Sequence, residues 1–577
     1  MKKNLLRYVL LGALSALAVS TLFSQAPGWQ WAKGIGLPGD DDAGAAIASD
    51  ASGNVYSIGS FGSNSLTIGT ATLTRSGGGN TYVIKQDPSG NVIWAKSFGF
   101  SPPTFFGINA GKGICVDNSG NVYITGYYIT SMVLGTTTLT TTDSSSTAVG
   151  DIYVAKLNSS GTVMWAKSAG GAVADIPNGI AVDGSGNVYV AGTFRSRYCR
   201  FGSGITLFDQ YSSSSNFYVN ADLFLAKYDA SGNPVWARNT SSSGGGNTAN
   251  GICTDASGNV VITGTYYSPN VVFGTNTLTA TAAINLFVTK YDNAGNVLWA
   301  KTAMAGGSGS INHYGNAVSS DGSDNIYMTG WFSASTLTLG TIGLTTLGNS
   351  DLLVAKFDPL GNALWARQAG GSNSGADGTA IKTSASGDSY VTGYFLGTTC
   401  SFGTVSVNNA NTGGNNEDVF VAKYNSSGNL DWATGAGGNF GDVSYGIGVD
   451  GSGNAVITGY TKSTSMAFGT LTVTSGGTYQ DIIIAKMGNM SGIKEETALT
   501  GITIFPNPSN GILYVKSTLE NRIANKITIA DLTGRVIFEK EITEATAQID
   551  LSGSAKGIYF CRISSDNKSF TGKVVIQ

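Results

Sequence analysis

The sequence predicts an all-β protein made of seven similar units, followed by a smaller C-terminal domain of different composition. The first observation is a Trp-Ala pair that recurs every 63 to 71 residues. The second is a set of Ser-Gly-Asn-type turns between short apolar runs. Repetition at a nearly constant period indicates one supersecondary unit used seven times. The pair begins at Trp31, Trp94, Trp165, Trp236, Trp299, Trp365 and Trp432.

Each unit contains four strand-like runs, and the third unit shows them most clearly. GIAVDGSGNVYVAGTF spans residues 179–194, DLFLAKYD spans 222–229 and SGNPVWAR spans 231–238. Such runs are rich in β-branched, aromatic and leucine residues, and turn residues bound them. A glycine in each turn supplies the positive φ that a short hairpin requires. We therefore expect two hairpins per unit, joined by a Thr-rich connection around a Phe-Gly pair such as Phe201-Gly202.

Seven four-stranded units indicate a β-propeller, because radial repetition leaves only short and protected sheet edges. The seventh unit ends near residue 487 without its tryptophan strand, whereas the chain has an unpaired strand over residues 29–33. These complementary halves predict that the N-terminal strand completes the last blade. The sequence thus predicts a seven-bladed β-propeller over residues 28–487, closed by the N-terminal strand.

Residues 1–25 have the pattern of a secretory signal peptide. Lys2, Lys3 and Arg7 precede an apolar run over residues 8–23, and small or polar residues follow it. The run is too short for a membrane span, and no later stretch approaches about 18 uninterrupted apolar residues. We expect an exported protein whose mature chain has no transmembrane segment.

Charge and residue usage exclude several function classes. The net charge of −3 provides no basic field for nucleic acid. The single histidine, His313, rules out a multi-histidine metal site and leaves little for a His-based catalytic triad. The Asp-x-Ser-Gly-Asn turns carry fewer oxygen side chains than a calcium loop, so we interpret them as hydrogen-bonded turns. We expect neither a metal nor a cofactor.

One set of polar residues precedes the first strand of nearly every unit. Counting back five residues from the central apolar residue of each first strand reaches a polar side chain in six units. In a propeller these positions share one face, and they predict a ligand-binding ring at the mouth of the central channel. The alternative is that they cap the entry turn through local hydrogen bonds. The six residues are Asp42, Asn109, Asp175, Asn247, His313 and Asp442; the sixth unit has Ala376 there, with Asp377 beside it.

Aromatic residues follow the glycine that ends each second strand. Two positions after this glycine, six of seven units carry an aromatic ring, which we assign to the core between blades. One position after it, the residues lie on the opposite side of the pleat and vary more. Exposed rings at that position would stack on sugars or peptides, although they would also serve as mere edge cover. They are Tyr127, Trp331, Tyr394 and Tyr460.

Lysines that end the third strands and aspartates that end most first strands form a second repeated set on the other face. We interpret them as a solvated belt of weak ion pairs rather than a binding patch. The sixth unit departs from this pattern, because it has Ser384 in place of the aspartate and a lysine, Lys382, two residues earlier.

The composition changes near residue 488. Charged residues number 19 among the last 90 residues but only 50 among the first 487. We expect a polar linker over residues 488–500 and a separate domain over residues 501–577. Its six short strand-like runs predict a small immunoglobulin-like β-sandwich.

Both parts resemble known families. The repeated GIAVDxSGNVYVTG and DIFVAKYDxxGNVxWAK patterns of residues 28–487 resemble the secreted bacterial β-propeller repeat, often labelled SBBP. Four C-terminal motifs resemble the type A sorting domain of the Bacteroidetes type IX secretion system: Phe505-Pro506-Asn507-Pro508, Asp531-Leu532-Thr533-Gly534-Arg535, Gly557-Ile558-Tyr559-Phe560 and Lys573-Val574-Val575-Ile576. That second resemblance implies the type IX secretion machinery as a partner, passage through the outer membrane, and release or attachment at the cell surface.

Together these features predict an exported, non-enzymatic module that recognises a glycan or a surface protein. One alternative is a polysaccharide-acting enzyme that uses carboxylates such as Asp42, Asp175 and Asp442. The other is a purely structural component of the cell surface or of adhesion. Because propellers host many functions, the predicted fold does not choose between these three.

Overall fold

The computed structural model describes residues 26–36, 40–100, 109–142, 150–209, 221–242, 246–267, 269–307, 311–372, 374–411, 413, 416–476, 479–488, 497–498, 502–517, 525–531, 535–542, 544, 546–565 and 568–577. The predicted signal peptide, residues 1–25, lies outside the described residues, as does most of the predicted linker. The chain divides into two compact units at Gly488. Over the described residues, both units consist of strands and turns without helices, and no helix long and apolar enough to cross a membrane is found.

The first unit contains, in its described residues, seven antiparallel sets of four strands; in the second, a hairpin of the following repeat adds two more strands to the sheet. Spatial order follows sequence order in the first six sets, whereas in the seventh the N-terminal strand takes the outer place. We number these sets sheets 1 to 7. The inner strands are Asp42–Ser49, Ala110–Val116, Asp175–Val182, Asn247–Thr254, His313–Ser320, Ala376–Thr383 and Asp442–Val449. The second strands are Val55–Phe61, Val122–Ile129, Val188–Phe194, Val260–Tyr266, Ile326–Phe332, Ser389–Phe395 and Ala455–Thr461. The third strands are Asn80–Gln86, Gly150–Leu157, Asp222–Tyr228, Asn285–Tyr291, Asp351–Phe357, Asp418–Tyr424 and Asp481–Met487. The outer strands are Val92–Phe98, Val163–Gly170, Pro234–Asn239, Val297–Thr302, Ala363–Ala369 and Leu430–Ala436, with Trp29–Ile35 in sheet 7.

The N-terminal strand completes sheet 7 as the sequence predicts. Trp29–Ile35 pairs antiparallel with Asp481–Met487, in a register that places Ile35 opposite Ile482. Trp29 is nearly buried and meets the Phe468 ring edge-on at 4.9 Å. The two ends of the repeat region therefore share one sheet.

The inner strands are neighbours of one another along the whole series. Each contacts the inner strand of the next sheet, and the inner strand of sheet 7 contacts that of sheet 1. Apolar clusters fill the space between adjacent sheets; one of them joins Ile47 and Phe61 of sheet 1 to Val456 and Ile484 of sheet 7. The aromatic positions assigned to the core are buried there, Phe61, Tyr128, Phe194, Tyr266, Phe332 and Phe395 being at most 1% exposed.

The predicted Thr-rich connections are short hairpins between the second and third strands. Several pair with the end of the preceding sheet's outer strand, as Phe201 does with Ala169. Residues Ser241–Ser242 and Met304–Gly306 extend two outer strands for the same pairing. The hairpins are Ser65–Ile68 with Ala71–Thr74, Ser131–Leu134 with Thr137–Thr140, Tyr198–Phe201 with Ile205–Phe208, Asn270–Phe273 with Asn276–Thr279, Thr336–Leu339 with Ile342–Thr345, Thr399–Phe402 with Val405–Asn408, and Ser465–Phe468 with Leu471–Thr474.

The repeated tryptophans join each sheet to the next. Trp94 of sheet 1 donates its indole N–H to the Ser159 carbonyl, in the turn between the third and outer strands of sheet 2, at 3.0 Å. Gly161 of that turn has a φ of +78°, and a Cβ there would lie 3.0 Å from the Trp94 ring. The glycine thus permits both the turn and the close approach of the ring. Five further tryptophans make the same bond, at 3.0 to 3.2 Å: Trp31 to Pro88, Trp165 to Ala230, Trp236 to Asn293, Trp299 to Pro359 and Trp365 to Ser426.

The Lys/Asp belt is not the solvated set that the sequence predicts. In sheet 4, Lys290 and Asp255 are 3% and 6% exposed, and Lys290 Nζ lies 2.6 Å from Asp255 Oδ2. Sheets 5 and 7 have equally buried pairs, Lys356–Asp321 at 3.7 Å and Lys486–Asp450 at 3.0 Å. The neighbouring sheet covers these residues, which a single repeat cannot reveal. Removing one partner of such a pair leaves an uncompensated buried charge.

We therefore expect Lys290→Met to lower the free energy of unfolding by about 3 kcal/mol. The matched control is Lys85→Met, the same position in sheet 1, where the lysine is partly exposed and its closest hydrogen-bond acceptor is the Ser159 carbonyl at 3.5 Å. We expect less than about 1 kcal/mol there. Urea unfolding measures both, and the double variant Lys290→Met/Asp255→Asn should recover part of the loss. Equal losses for Lys290→Met and Lys85→Met would contradict the role of the buried pair.

The C-terminal unit contains two sheets in its described residues. One orders the strands Thr497–Ala498, Lys568–Ile576, Gly557–Ser565, Asn525–Ala530 and Val536–Ile542; the other orders Ile502–Phe505, Ile512–Ser517 and Thr546–Asp550. Leu513 and Val515 of the smaller sheet join Ile527 and Cys561 of the larger one in a single buried apolar cluster. The two sheets therefore pack face to face, as the strand pattern predicts.

Candidate functional site

Three cavities follow one another along the inner strands in the described part of the chain. The wide cavity, about 670 Å³, lies where the inner strands begin and is lined by residues such as Gly44, Asn178 and Tyr445. The middle cavity, about 190 Å³, is lined by all seven inner strands. The third cavity, about 270 Å³, lies where the inner strands end, and Lys382 is one of its lining residues. We call it the narrow cavity because it is less than half the volume of the wide cavity. Residues of all seven inner strands contribute to each of the three cavities.

The predicted polar ring does not line the wide cavity. All six side chains are completely buried at the start of the inner strands: Asp42, Asn109, Asp175, Asn247, His313 and Asp442. Five of them form hydrogen bonds within the fold, whereas the side-chain amide of Asn109 has no hydrogen-bond partner among the described residues. Asp175 is representative, because its Oδ2 accepts the Ser196 hydroxyl at 2.7 Å and its Oδ1 accepts the backbone N–H of Arg195 at 3.0 Å. The Ser63 and Ser463 hydroxyls donate to Asp42 and Asp442 in the same way. This geometry matches the capping alternative, and ligand contact by these residues stays a prediction.

Burial decides the charge of these groups. It raises the pKa of Asp175 to about 7 and that of Asp442 to about 6, despite hydrogen bonds that favour the charged form. Burial also lowers the pKa of His313 to about 4, so that its ring is neutral at physiological pH. The His313 Nδ1 atom accepts the Leu286 backbone N–H at 3.0 Å. These side chains position the entry turns and the third strands.

A different ring faces the wide cavity, and the sequence did not reveal it. Every inner strand has a β-bulge, where the pairing with the second strand skips one residue; this is the fourth residue of six strands and the third residue of Ala110–Val116. Bulges re-aim a side chain. The bulged residues are Ala45, Lys112, Asn178, Asn250, Asn316, Thr379 and Tyr445, and all seven line the wide or the middle cavity.

Several bulged residues also connect adjacent inner strands. Asn178 Nδ2 donates to the Ala249 carbonyl at 2.8 Å, and Asn250 Nδ2 donates to the Gly315 carbonyl at 3.0 Å. Thr379 Oγ1 donates to the Ser444 carbonyl at 2.6 Å. These bonds fix the mouth, so the cavity wall is preorganised for binding.

Three of the four predicted aromatic residues do line the wide cavity: Tyr127, Tyr394 and Tyr460. The prediction of an exposed ring is wrong at Tyr460, which is only 8% exposed because its neighbours cover it. Tyr445, which the sequence did not indicate, is 43% exposed and lies 5.8 Å from Tyr460, the ring planes inclined by 54°. Trp331 is not among the lining residues. It stacks instead on Tyr314 at 4.4 Å, with an interplanar angle of 15°. Tyrosines from sheets 2, 6 and 7 therefore share one cavity.

Charged groups stand on two sides of the same cavity. Asp377 of sheet 6 is partly buried; its Oδ1 accepts Asn316 Nδ2 at 2.7 Å and its Oδ2 accepts the Tyr394 hydroxyl at 3.4 Å. Burial raises the pKa of Asp377 to about 7. Glu417 lines the wall beside it. On sheet 2, Lys112 Nζ lies 6.0 Å from the Tyr127 ring centroid, and desolvation lowers the pKa of Lys112.

This arrangement suits a polar ligand with flat apolar faces. Tyrosine rings supply stacking surfaces, while amides, carboxylates and one ammonium supply directional hydrogen bonds. No group of three His, Cys, Asp or Glu side chains suited to a metal ion is found among the described residues.

Two family models match the chain. Residues 503–577 match the secretion system C-terminal sorting domain, and residues 165–193 match the Beta-propeller repeat labelled SBBP. The second match runs from Trp165 to Thr193 and includes most of the outer strand of sheet 2 and the first two strands of sheet 3.

A curated relative is an uncharacterized WD repeat-containing protein of Acanthamoeba polyphaga mimivirus. It is 26% identical over 402 residues, which cover 56% of this chain and 27% of the relative, so the chain spans about a quarter of that protein. Among solved structures, a chain of the mitotic checkpoint complex has a TM-score of 0.37 at 12% identity, covering 79% of this chain and 96% of its own. A fungal alcohol oxidase in complex with copper has a TM-score of 0.36 at 9% identity, covering 96% and 100%.

Proposed function

We propose that this chain, a secreted or outer-membrane surface protein of β-propeller repeats with a type IX sorting domain, binds a glycan in the wide cavity. The observation that carries the proposal is the set of tyrosine residues on the wall of a cavity of about 670 Å³ that is otherwise lined mainly by polar and small residues. Sugar rings present one flat apolar face and many hydroxyls. Aromatic rings beside amide and carboxylate groups complement both features.

The finer architecture is part of this proposal: a closed seven-bladed β-propeller. Three observations support it. The N-terminal strand completes sheet 7, the inner strands of sheets 7 and 1 contact each other, and the middle cavity is lined by all seven inner strands. Closure would place every bulged residue around one axis and so create a single mouth.

We assign the ligand to the side of the mouth formed by sheets 6 and 7. Tyr394, Tyr445 and Tyr460 lie there together, and Asp377 and Glu417 offer acceptors to sugar hydroxyls. Lys112 with Tyr127 forms the facing wall. The stacked pair Trp331 and Tyr314 lies on sheet 5 and would contact only a ligand that extends beyond the cavity.

We expect Tyr394→Ala and Tyr445→Ala each to weaken glycan binding about tenfold, because each removes a stacking surface. Tyr394→Phe should retain most of the affinity, since it keeps the ring. The measurement is calorimetric titration with the best ligand from a panel of purified bacterial, plant and algal polysaccharides. Tyr198→Ala is the matched control, because Tyr198 is 46% exposed but lies on a peripheral hairpin.

Two results would count against glycan binding. One is the absence of saturable binding to any polysaccharide of the panel, combined with a loss of cell attachment on deletion of the gene, which would favour a structural or adhesive component. The other is equal weakening by Tyr198→Ala, which would place the contact away from the cavity.

A polysaccharide-acting enzyme is the second candidate, and one observation favours it. Asp377 has a pKa near 7 in the wide cavity, which is what a general acid at neutral pH requires. The predicted carboxylates Asp42, Asp175 and Asp442 are completely buried, so Asp377 with Glu417 would take their place. Polysaccharide turnover that Asp377→Asn abolishes while binding persists would establish this candidate in place of the non-enzymatic one.

A further inference from the structure

The narrow cavity has a chemical character of its own. It lies at the end of the inner strands, beyond the middle cavity, and the glycan proposal does not involve it. At the position after the central apolar residue, the inner strands of sheets 1 to 5 and of sheet 7 carry a small residue. The inner strand of sheet 6 carries a lysine there. These residues are Ala48, Cys115, Ala181, Cys253, Ser319, Lys382 and Gly448, and all seven line the narrow cavity.

Lys382 carries a positive charge that has no ion-pair partner among the described residues. Its side chain is exposed to the cavity, and it has no ion pair and no hydrogen bond with any described residue. The aspartate that ends most inner strands is Ser384 in sheet 6, and the Ser384 hydroxyl lies 2.9 Å from that of Ser386. The two nearby carboxylates of that sheet, Asp388 and Asp431, pair instead with Lys423, at 2.9 and 3.1 Å.

Lys382 lines the narrow cavity together with Cys115 of sheet 2 and Cys253 of sheet 4. Its positive charge lowers the pKa of both thiols, although burial has the larger and opposite effect. Since burial raises the pKa of each thiol to about 12, both thiols remain protonated and offer weak S–H donors.

Two serines that line the narrow cavity have hydroxyl hydrogens that take part in no hydrogen bond with a described residue. Ser49 lines the cavity, and its buried Oγ has no hydrogen-bond partner among the described residues. Ser319 Oγ accepts the Thr383 backbone N–H at 3.0 Å, so its own hydrogen remains available. By contrast, the Thr254 and Ser320 hydroxyls are already used on backbone carbonyls. A buried hydroxyl without a partner is costly unless something binds it.

The carboxylates at this end of the strands are all engaged. Asp117 illustrates their state: its Oδ1 accepts two backbone N–H groups, and its Oδ2 accepts Asn121 at 2.7 Å and the Tyr123 hydroxyl at 3.0 Å. Asp255, Asp321 and Asp450 are also paired with lysines. No carboxylate is among the described residues that line the narrow cavity, and Lys382 is the charged side chain on its wall.

We propose that the narrow cavity binds one tetrahedral oxyanion, phosphate or sulfate, held by the Lys382 ammonium and the Ser49 and Ser319 hydroxyls. A tetrahedral oxyanion accepts hydrogen bonds in several directions at once, which suits donors arriving from sheets 1, 5 and 6. Gly448 leaves room for the Ser49 hydroxyl, because a Cβ at Gly448 would lie 2.9 Å from Ser49 Oγ.

The test is calorimetric titration of the full chain with sodium phosphate, sodium sulfate and sodium acetate in an anion-poor buffer. We expect one site for phosphate or sulfate and at least tenfold weaker binding of acetate. Lys382→Met should weaken binding at least tenfold and Ser49→Ala about threefold, whereas Lys382→Arg should retain it. Lys96→Met, on the outer strand of sheet 1, is the matched control and should leave binding unchanged.

Melting temperatures of the variants without anion show whether each one folds. Phosphate should raise the melting temperature of the unsubstituted chain but not that of Lys382→Met, because a ligand stabilises only the state that binds it. Undetectable binding of both tetrahedral anions, or affinity unchanged by Lys382→Met in a folded protein, would overturn the proposal. Acetate bound as tightly as phosphate would overturn the preference for a tetrahedral ion.

Discussion

Deleting residues 501–577 is expected to abolish delivery of the protein to the cell surface and to leave the repeat region in the periplasm. The deleted segment contains the whole match to the sorting domain, residues 503–577. It is also a structural unit of its own, with a buried cluster that includes Ile527, Ile549 and Cys561. Cell fractionation and protease treatment of intact cells measure the loss.

The control must show that the repeat region still folds after the deletion. All nine tryptophans lie between Trp29 and Trp432, so tryptophan fluorescence reports on the first unit alone. We expect the same emission maximum and nearly the same melting temperature for the truncated and the full chain. Fusing residues 489–577 to a periplasmic reporter should carry that reporter to the surface. Normal surface delivery of the truncated chain would refute the role of the sorting domain.

The repeat pattern could be predicted because it depends on local chemistry. The turn glycines Gly90 and Gly161 have φ values of +83° and +78°, and their spacing to the next Trp-Ala pair is visible in the sequence. Where one turn departs from the pattern, an aspartate takes the place of the glycine: Asp324 adopts a φ of +62°. Asp and Asn tolerate this region better than other side chains.

The residues that face the wide cavity could not be predicted in the same way. In a regular strand, successive residues after Asp175 would face opposite sides of the sheet. The bulge at Asn178 interrupts this alternation. No residue type marks the bulge, since Ala45, Lys112 and Tyr445 occupy equivalent places. The aromatic position after the second-strand glycine avoids this problem, because the second strands pair without a shift with the third strands.

Burial of charged residues also depends on contacts that one repeat does not contain. Lys227 illustrates this, since its ammonium donates to the Asn293 carbonyl, 66 residues further along and in the next sheet, at 3.2 Å. The same ammonium lies 5.4 Å from the Tyr189 ring centroid. The side chain is therefore a link between sheets rather than part of a solvated belt.

Deleting residues 26–36 is expected to destabilise the repeat region by at least about 5 kcal/mol, or to prevent its folding. The deletion exposes the edge of Asp481–Met487 and removes two nearly buried apolar side chains, Trp29 and Ile35. Burial of one such side chain contributes about 1.5–3 kcal/mol. Trp31 is lost as well, and with it the bond to the Pro88 carbonyl that joins sheet 7 to sheet 1. Urea unfolding followed by tryptophan fluorescence measures the effect.

A circular permutant provides the matched control. In the permutant, residues 26–36 follow Met487 through a short glycine-containing turn. The fourth strand of sheet 7 then follows the third strand directly in the sequence, and the deleted residues are present again. In a closed ring the permutant should be nearly as stable as the parent repeat region, because the edge of Asp481–Met487 is covered again. In an open array the strand would serve only one terminal repeat, and its deletion would cause fraying with a loss below about 1 kcal/mol. The size of the loss on deletion, together with its recovery in the permutant, therefore decides between a closed and an open arrangement of the seven sheets.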